Sequence, residues 1–353
     1  MHRILSINPG STSTKIALYE DENPVFVETI RHSTEEIAQF GKIVDQYGFR
    51  RDVILQVLKE KGVDLAALDA VVGRGGALPP VESGVYRVNE RMLQDLRYPV
   101  REHVSNLGAF LAKEIADQVG IPSFIADPPA VDEMEPIARI SGLPEIERQS
   151  LSHALNLKAA ARKAARQLGR PYEELNLVVV HMGGGISVSP HRKGRMVDAN
   201  QALDGTGPFS PERAGGLPIG DLARMAFSGK YTYDQLWRRM VGGGGLVAHL
   251  GTNDARQVER RIAAGDEHAC LVYEAMAYQT AKEIGAMSTV LMGEVDAIVL
   301  TGGLAYSEVL TGWIRDRVEW IAPVLIFPGE DEMEALTLGA LRVLRGEEEA
   351  KEY

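Results

Sequence analysis

The most informative feature of this sequence is a pattern that occurs twice: an apolar β-strand leads through a turn of glycine and hydroxyl residues into a second strand. The first copy reads ILSINPGSTSTK at residues 4–15, and the second reads NLVVVHMGGGISV at residues 176–188. Glycine permits tight turns, and successive backbone N–H groups with hydroxyl side chains can surround an anion. The repetition predicts two α/β halves related by duplication, each opening with a hairpin suited to phosphate, with a cleft between them.

The turn of the first copy carries groups suited to phosphate, but it is equally typical of a plain β-hairpin. Gly10 lets the backbone turn, the hydroxyls of Ser11, Thr12 and Ser13 can donate hydrogen bonds, and Lys15 adds a positive charge. The following strand KIALYE and the acidic tip DEN complete a hairpin in either case. These residues alone leave both interpretations open.

A third glycine turn follows another apolar strand in VDAIVLTGG, residues 295–303. Three such turns in one chain indicate a bound nucleotide, with its β- and γ-phosphates at the first two turns and its adenosine near the third. None of the turns has the Walker spacing GxxxxGK followed by Ser or Thr, and none has the GxGxxG spacing that opens a helix in dinucleotide-binding folds. The pattern therefore argues against P-loop and Rossmann folds.

Composition limits the class of protein and its partners. A length of 353 residues exceeds the usual size of one hydrophobic core, which favours two domains. The formal net charge of −11, with no block of lysine or arginine, argues against a nucleic-acid partner. Cys270 is the only cysteine, so an internal disulfide or thiolate metal cage is excluded. Because no apolar run is long enough to span a bilayer, we expect a soluble, cytoplasmic protein without a membrane partner.

Helical periodicity indicates how the rest of the chain is organised. Residues 40–61 predict a helix interrupted at Phe49-Arg50-Arg51, and residues 267–292 predict a helix buried on most sides. A last helix from Asp331 is expected to return to the first domain, followed by a frayed acidic tail after Gly346. We expect a first domain of residues 1–148 and 335–353, and a second, nucleotide-binding domain of residues 149–334.

Several motifs together resemble those of one enzyme family. INPGSTSTK matches the first signature of acetate and butyrate kinases, except that Thr14 stands where an aliphatic residue is usual. HMGGGISV at residues 181–188 matches the core of the second signature, although Pro190 stands where a small apolar residue is expected. Across its whole length the chain thus resembles the acetokinase family of the actin, sugar kinase and Hsp70 superfamily. Further stretches resemble butyrate kinases in particular: VVGRGG (71–76), ADPPAVDEM (126–134), SHALN (152–156), ALDGTGPFSPERAGGLP (202–218), LGTNDAR (250–256) and VLTGGLAYS (299–307).

The resemblance implies two duplicated ribonuclease H-like α/β domains with an interdomain cleft. It also implies reversible transfer of the ATP γ-phosphoryl group to a carboxylate, with butyrate as the closest match, to give butyryl phosphate and ADP with Mg²⁺ as cofactor. Assembly as a homodimer or higher homo-oligomer is implied as well. Because an attacking carboxylate needs no general base, the expected site contains cations and metal-holding acids rather than a Ser-His-Asp set.

The resemblance assigns roles in the transfer step to five residues. Arg213 would stabilise the transferring phosphoryl group, Arg74 would bind the substrate carboxylate, and His153 and His181 would lie near the phosphoryl path. Asp127 would position Arg213 or hold the water shell of Mg²⁺. Each residue has a simpler interpretation, since arginine and aspartate often stabilise turns and a single histidine is more often structural than catalytic.

The resemblance also assigns residues to the phosphate donor and its metal ion. Asn8 and Glu332 would lie beside Mg²⁺, with Asp331 as the alternative acid. Asp254 taken alone would equally fit a helix N-cap. The phosphate-binding residues implied are Ser11, Ser13, Lys15, Gly183, Gly184 and Gly185, and the nucleoside-binding residues implied are Asp254, Arg256, Gly302 and Gly303.

The choice of acid is predicted from the segment around Leu107. His103 and Asn106 resemble residues that line the acyl pocket, and a simple helix cap is the alternative for Asn106. Acetate-specific members have a proline-rich loop here, whereas this chain reads VSNLGAF, whose smaller residues predict room for a longer acyl chain. The alternatives are a branched-chain (isobutyrate), acetate or propionate kinase, a related phosphatase or sugar kinase, and a non-enzymatic nucleotide switch of the Hsp70 or actin kind.

Overall fold

A computed structural model describes residues 1–99, 102–203 and 205–353 of the chain. Its strands are β1 (Arg3–Gly10), β2 (Ser13–Glu20), β3 (Asn23–Arg31), β4 (Ala70–Arg74), β5 (Val85–Arg87), β6 (Ser123–Ala126), β7 (Asn176–Met182), β8 (Ile186–Arg192), β9 (Arg195–Met196), β10 (Ala297–Gly302) and β11 (Val324–Pro328). Its α-helices are α1 (Thr34–Ala38), α2 (Tyr47–Glu60), α3 (Glu90–Arg97), α4 (Leu107–Asp117), α5 (Pro136–Arg139), α6 (Ala154–Leu168), α7 (Ile219–Ala226), α8 (Tyr233–Met240), α9 (Gly245–Leu250), α10 (Ala255–Ala263), α11 (Glu267–Val290), α12 (Glu308–Val318) and α13 (Glu332–Leu344). Short 3₁₀ turns complete the list: Ile43–Gln46, Leu65–Ala67, Val104–Asn106, Tyr172–Glu174 and Gly303–Tyr306.

The chain divides into two compact units. Unit 1 contains residues 1–131 and 331–353, and unit 2 contains residues 132–330. These boundaries differ from the expected breaks at 148 and 334, because the segment after residue 131 is bonded to unit 2. The buried Glu133 carboxylate accepts from the Lys158 ammonium at 2.7 Å, and Arg148 pairs with Asp198 at 2.9 Å.

The sheet of unit 1 has the strand order β3-β2-β1-β4-β6-β5. The first three strands are antiparallel neighbours, whereas β4 and β6 run parallel to β1. Alternate side chains of β1 lie on opposite faces of the sheet. Leu5 and Ile7 join the core formed with α2 and α4, while the Ser6 hydroxyl on the other face bonds Thr337 of α13. The C-terminal helix therefore returns to the first unit, as the sequence predicted.

The sheet of unit 2 repeats this topology with the order β11-β10-β7-β8-β9. Strands β7, β8 and β9 are antiparallel neighbours, and β10 and β11 run parallel to β7, so each strand corresponds in direction to one in unit 1. Val178 and Val180 belong to the core that includes α11, and α6 also packs against β7 and β10. The duplication inferred from the repeated strand-turn-strand pattern is confirmed at the level of topology.

Helix α11 was expected to be buried on most sides, and that expectation is wrong. Tyr273, Met276 and Ile284 are buried, but Leu271 and Tyr278 are 66% and 50% exposed. The helix therefore packs along one broad face, and some of its apolar residues lie outside that face and are exposed to solvent. Among the described residues, no helix is both long and apolar enough to cross a membrane.

Two further expectations are corrected. The predicted interruption at residues 49–51 does not occur, because α2 is continuous and the Arg50 side chain is buried within the unit. The tail after Gly346 is not frayed: the Lys351 N–H donates to the Val85 carbonyl at 2.8 Å, and the Tyr353 hydroxyl donates to Asp95 at 2.7 Å. Backbone and side-chain hydrogen bonds thus hold the acidic tail against β5 and α3.

Candidate functional site

The first glycine turn is the loop of the β1–β2 hairpin. Gly10 pairs with Ser13 in the strand register, which leaves Ser11 and Thr12 as the two loop residues. Gly10 does not adopt a positive φ, so its conformational freedom is not what the turn requires. Its small size matters instead, because a Cβ atom there would lie 3.1 Å from the Ser13 hydroxyl oxygen. The hairpin interpretation is correct and is compatible with phosphate binding.

A buried arginine beneath this loop was missed by sequence reasoning. The Arg50 side chain donates to the carbonyls of Gly10, Ser11 and Ser13 at 2.8–3.1 Å and to the Thr14 hydroxyl at 3.0 Å. Its spacing gave a signal that could have revealed it: Arg50 precedes the buried Ile54 and Leu58 of α2 by four and eight residues. The sequence pattern therefore placed this arginine on the buried face of its helix.

Asn8, Arg74 and Glu332 form a polar cluster in unit 1. The Asn8 amide donates to one carboxylate oxygen of Glu332, and the Arg74 guanidinium bonds the other. Lys15 lies opposite Asn8 in the antiparallel register, so both side chains lie on the same face of the sheet. Asp331, the alternative acid for the metal, instead caps α13 by accepting from the Glu334 N–H at 2.9 Å. The structure thus brings the predicted metal-side residues together with the predicted carboxylate-binding arginine.

The segment around α4 does not open a pocket in the way the sequence suggested. The Asn106 side chain accepts from the Ala77 N–H at 2.8 Å and makes no helix-capping bond. A Cβ atom on Gly108 would lie 2.0 Å from the Arg74 carbonyl oxygen, and Ala109 is fully buried in the core. The small residues of VSNLGAF are therefore needed for packing against β4, and they carry no argument for a longer acyl chain.

His103 precedes the same segment and lies near Arg74. Its Nδ1 atom is 2.7 Å from the Ser105 hydroxyl and accepts from the Ser105 N–H at 3.2 Å. The pKa of His103 lies below its ordinary value, because surrounding atoms limit the hydration of the ring and because the Arg74 cation is close. His103 is therefore a neutral imidazole beside the predicted carboxylate-binding arginine.

Asp127 follows β6 and holds a neighbouring turn. Its backbone has φ +37°, which is unusual for a residue other than glycine. One carboxylate oxygen accepts from the Ser83 hydroxyl at 2.6 Å and from the Gly84 N–H at 2.9 Å. The strained backbone and these bonds support the structural interpretation of Asp127. Asp127 belongs to unit 1, whereas Arg213 belongs to unit 2.

In unit 2 the two predicted histidines lie in contact. The rings of His153 and His181 stack with centroids 4.2 Å apart. The Nδ1 atom of His153 is 2.9 Å from the Ser187 hydroxyl, and Nε2 of the buried His181 is 3.4 Å from the Glu330 carboxylate. Stacking, the serine and the glutamate together fix both imidazoles at the start of the second glycine turn.

The second glycine turn, residues 183–185, connects β7 and β8 beside Arg213. The Gly184 carbonyl accepts from the Ser210 hydroxyl at 2.6 Å and from the Glu212 N–H at 3.3 Å. Arg213 in turn makes long hydrogen bonds of 3.3 and 3.4 Å to the carbonyl and carboxylate of Glu212. Arg213 thus belongs to the chain segment that contacts the turn, and Glu212 is its main partner.

The second and third glycine turns lie at one cavity of about 880 Å³ in unit 2. At the third turn, Gly302 has φ +94°, and a Cβ atom there would lie 2.4 Å from the Met182 carbonyl oxygen, so only glycine fits. The cavity is lined by Gly183, Gly184, Pro211, Glu212, Asn253, Asp254, Ala255, Arg256, Glu259, Gly303, Leu304, Tyr306, Ser307 and Glu330.

Asp254 and Arg256 lie at this cavity and bind each other. Asp254 caps α10 through the Arg256 N–H at 3.0 Å, and its carboxylate also accepts two bonds from the Arg256 guanidinium at 2.9 and 3.1 Å. The Arg256 side chain lowers the pKa of this carboxyl below its usual value. The helix-cap interpretation of Asp254 is correct, and it leaves the residue at the cavity surface.

Three glutamates at the cavity were missed by sequence reasoning. Glu212 accepts from Asn253 at 2.6 Å, Glu330 contacts His181, and Glu259 receives hydrogen bonds from Tyr273 and Ser307. Glu212 directly precedes Arg213 within a recognised motif, which was the available signal. Glu259 and Glu330 lie outside every motif, and no local pattern marks them.

Comparison with known proteins gives a family match over part of the chain and one fold for the whole. Residues 148–311 match the model of the acetokinase family. Acetate kinase from Porphyromonas gingivalis matches with a TM-score of 0.80 at 18% identity, covering 98% of this chain and 100% of that chain. A propionate kinase from Francisella tularensis subsp. tularensis SCHU S4 matches with a TM-score of 0.76 at 18% identity, covering 96% and 99%.

Acetate kinase from Entamoeba histolytica matches with a TM-score of 0.74 at 16% identity, covering 96% of this chain and 98% of that chain. At these identities the structural likeness shows the fold. The protein has the two-domain α/β fold of these acetate and propionate kinases.

Proposed function

We propose that the protein transfers the γ-phosphoryl group of ATP reversibly to the carboxylate of a short-chain fatty acid, with butyrate as the preferred acid. The observation that carries this proposal is the cavity of unit 2, where two glycine turns and the Asp254–Arg256 pair meet. Nearly all of the residues that line it belong to the segment that matches the acetokinase family. A cavity of about 880 Å³ is large enough for a nucleotide.

The chemistry requires cations more than it requires a base. A carboxylate is already a nucleophile, so the main barrier is the repulsion between two anions and the charge that develops on the equatorial phosphoryl oxygens. We assign Arg213 to the transferring phosphoryl group and Arg74 to the acid. His153 and His181 would donate hydrogen bonds to phosphoryl oxygens, which their fixed, stacked rings support.

The residues beside Asn8 fit a magnesium ion. Mg²⁺ usually keeps several waters and takes one or two protein oxygens together with substrate phosphates. The Asn8 side chain and the Glu332 carboxylate are in contact and offer such oxygens. Among the described residues no cluster of three or more metal-binding side chains exists, which fits an ion held mainly by phosphate and water. When bound, the ion would neutralise charge on the nucleotide phosphates.

The preference for butyrate is supported by the motifs shared with butyrate kinases and not by the packing around Gly108. Acetate and propionate kinases occur among the structures of the same fold. An apolar pocket distinguishes one methylene by only about 1–3 kcal/mol, so related acids should also react. Butyrate, isobutyrate, propionate and acetate are therefore ranked alternatives for one site.

Hydroxylamine trapping tests the proposal. The purified protein is incubated with ATP, Mg²⁺, hydroxylamine and one acid at a time, from acetate to hexanoate and including isobutyrate. We expect acid-dependent ADP release with an equal amount of acyl hydroxamate, largest for butyrate at limiting acid. ADP release that is independent of every acid would indicate a nucleotide switch or hydrolase and would contradict the proposal. A higher kcat/KM for acetate or isobutyrate would reject butyrate alone.

A further inference from the structure

The loop of the β1–β2 hairpin is arranged so that all its carbonyl oxygens are bonded to the protein. Arg50 donates to the carbonyls of Gly10, Ser11 and Ser13, and the His32 N–H donates to the carbonyl of Thr12 at 2.9 Å. Four successive carbonyl groups are therefore occupied by donors. This is unusual for an exposed hairpin loop, where water commonly satisfies such groups.

The groups left at the surface of the loop are donors. Within the described part of the chain, the N–H groups of Ser11 and Thr12 bond no protein acceptor, and both residues are exposed. The hydroxyls of Ser11 and Thr12 are exposed beside them. Adjacent amide N–H groups and hydroxyls form the kind of concave donor surface that binds phosphate oxygens.

The arginine beneath the loop also contributes a positive charge. Arg50 is fully buried, and among the described residues its side chain bonds only neutral groups. Burial lowers the pKa of its guanidinium to about 10, so the group remains charged at neutral pH. Gln46 and Thr14 satisfy its remaining N–H groups without cancelling this charge.

We propose that Arg50 is a positioning residue for phosphate binding, which holds the loop carbonyls inward and places an uncompensated positive charge behind the outward amides. This rests on the proposed function and on the prediction that Ser11, Ser13 and Lys15 contact the ATP phosphates. A purely structural arginine would stabilise unit 1 and leave the affinity for ATP unchanged in the folded enzyme. Donating to several neighbouring loop carbonyls at once requires the planar fork of the arginine guanidinium. The single ammonium group of lysine does not reproduce this geometry.

The test compares Arg50→Met, Arg50→Lys and Arg50→Ala with the matched control Arg51→Met. Arg51 is the next residue of α2 and binds Asp52 and Glu114 rather than the loop. For both Arg50→Met and Arg50→Lys we expect the KM for ATP to rise about tenfold, equivalent to losing one charge-assisted hydrogen bond. The KM for the acid should change less than about twofold. Arg51→Met should keep the wild-type KM for ATP.

Two measurements separate positioning from stability. In Arg50→Ala, added guanidinium at millimolar concentration should lower the KM for ATP towards the wild-type value, whereas urea at the same concentration should not. Hydrogen exchange of the peptide covering residues 8–16 should become faster in all Arg50 variants and stay unchanged in Arg51→Met. An Arg50→Met enzyme that folds with the wild-type KM for ATP would overturn the proposal. A variant that does not fold is replaced by Thr14→Val, which removes one Arg50 acceptor and should raise the same KM.

Failure of the Arg50 positioning role can be told apart from failure of the proposed kinase activity. If the wild-type protein forms no acyl hydroxamate, the proposed function fails. The exchange measurement and direct ATP binding then still report on Arg50. Unchanged exchange at residues 8–16 together with unchanged ATP binding in Arg50→Met would reject the positioning role in either case.

Discussion

At the residue scale, Arg213 has the features of a side chain kept available for a ligand. Its two side-chain hydrogen bonds to Glu212 are long, at 3.3 and 3.4 Å, and its buried Nε atom bonds no described acceptor. Buried polar groups in native proteins are usually satisfied, and unsatisfied ones are frequently found at functional sites. This geometry favours a phosphoryl-binding role over the alternative of a turn-stabilising arginine.

Replacing Arg213 should therefore impair the chemical step more than binding. For Arg213→Ala we expect kcat to fall about a thousandfold, the low end for arginines that stabilise a transferring phosphoryl group. The KM for ATP should change much less. Stopped assays of hydroxamate formation at saturating ATP and acid measure this. Arg224→Ala, which removes an exposed arginine of α7, is the control, and equal losses in both variants would reject the role of Arg213.

His32 contacts the first hairpin and is expected to make the stability of the protein depend on pH. Its Nε2 atom lies 2.8 Å from the Thr14 hydroxyl, which also accepts from Arg50 at 3.0 Å. Burial and the Arg50 cation lower the pKa of His32, although Glu36 opposes this. The rings of His32 and Phe49 pack in a T-shaped arrangement with their centroids 5.4 Å apart. The native state thus favours the neutral imidazole.

The sign of the pH dependence follows from this. Since the folded-state pKa lies below the unfolded value of about 6.5, the unfolded chain takes up the proton first as pH falls. The stability from neutral His32 is complete above that pH and is lost progressively below it, down to the folded-state pKa. We expect His32→Gln to flatten the fall in urea midpoint between about pH 7 and 5. His268→Gln, at an exposed position of α11, should retain the wild-type slope, and an unchanged slope in His32→Gln would contradict this account.

At the element scale, the contact between β4 and α4 sets the position of Arg74. The backbones approach so closely that a Cβ atom on Gly73 would lie 2.1 Å from the Gly108 carbonyl oxygen, and one on Gly108 would lie 2.0 Å from the Arg74 carbonyl oxygen. Real Cβ atoms do not approach this closely, so a side chain at either position must displace backbone. The two glycines therefore fix the start of α4 directly against the end of β4.

Gly108→Ala tests this contact against a matched glycine in another helix. The added methyl should destabilise the protein by about 1–3 kcal/mol through overpacking and raise the KM for the acid by displacing Arg74. Gly285→Ala in α11 has no atom within 4 Å of its new Cβ, and it should stabilise the protein by about 0.5–1 kcal/mol. Urea unfolding measures both. A Gly108→Ala protein as stable as wild type would reject the close packing.

Comparison of these elements shows what the sequence can reveal. The strand-turn-strand repeats and helix α13 were predictable because their signal is local: alternating apolar residues beside Gly10 or Gly183, and an apolar stripe from Met333 onward. The clustering of Glu259 and Glu330 at the cavity was not predictable, because it depends on contacts between distant segments. Arg50 and Gly108 are a third case. Each residue stands out in the sequence, but each contacts a backbone carbonyl, and a backbone contact leaves no pattern in the sequence.

At the scale of the whole molecule, one sheet topology occurs twice and the two copies carry different groups. Unit 2 holds the cavity with the stacked histidines, and unit 1 holds the hairpin loop over Arg50 and the cluster of Asn8, Arg74 and Glu332. Helix α13 and the bonded tail complete unit 1 from the far end of the sequence. In our account, duplication supplied two phosphate-type hairpins; unit 2 provides the nucleotide cavity, and unit 1 provides a hairpin loop for the ATP phosphates together with Arg74 for the acid.

The central claim is that an oxygen of the acid attacks the γ-phosphorus of ATP, and isotope transfer tests it most directly. Butyrate labelled with ¹⁸O at both carboxylate oxygens is incubated with the protein, ATP, Mg²⁺ and hydroxylamine. Attack by the carboxylate puts one ¹⁸O in the bridge of the acyl phosphate, and hydroxylamine then releases inorganic phosphate that carries this atom. Mass spectrometry should find one ¹⁸O in the phosphate for each ADP formed, whereas unlabelled phosphate would show that water attacks ATP and would contradict the account.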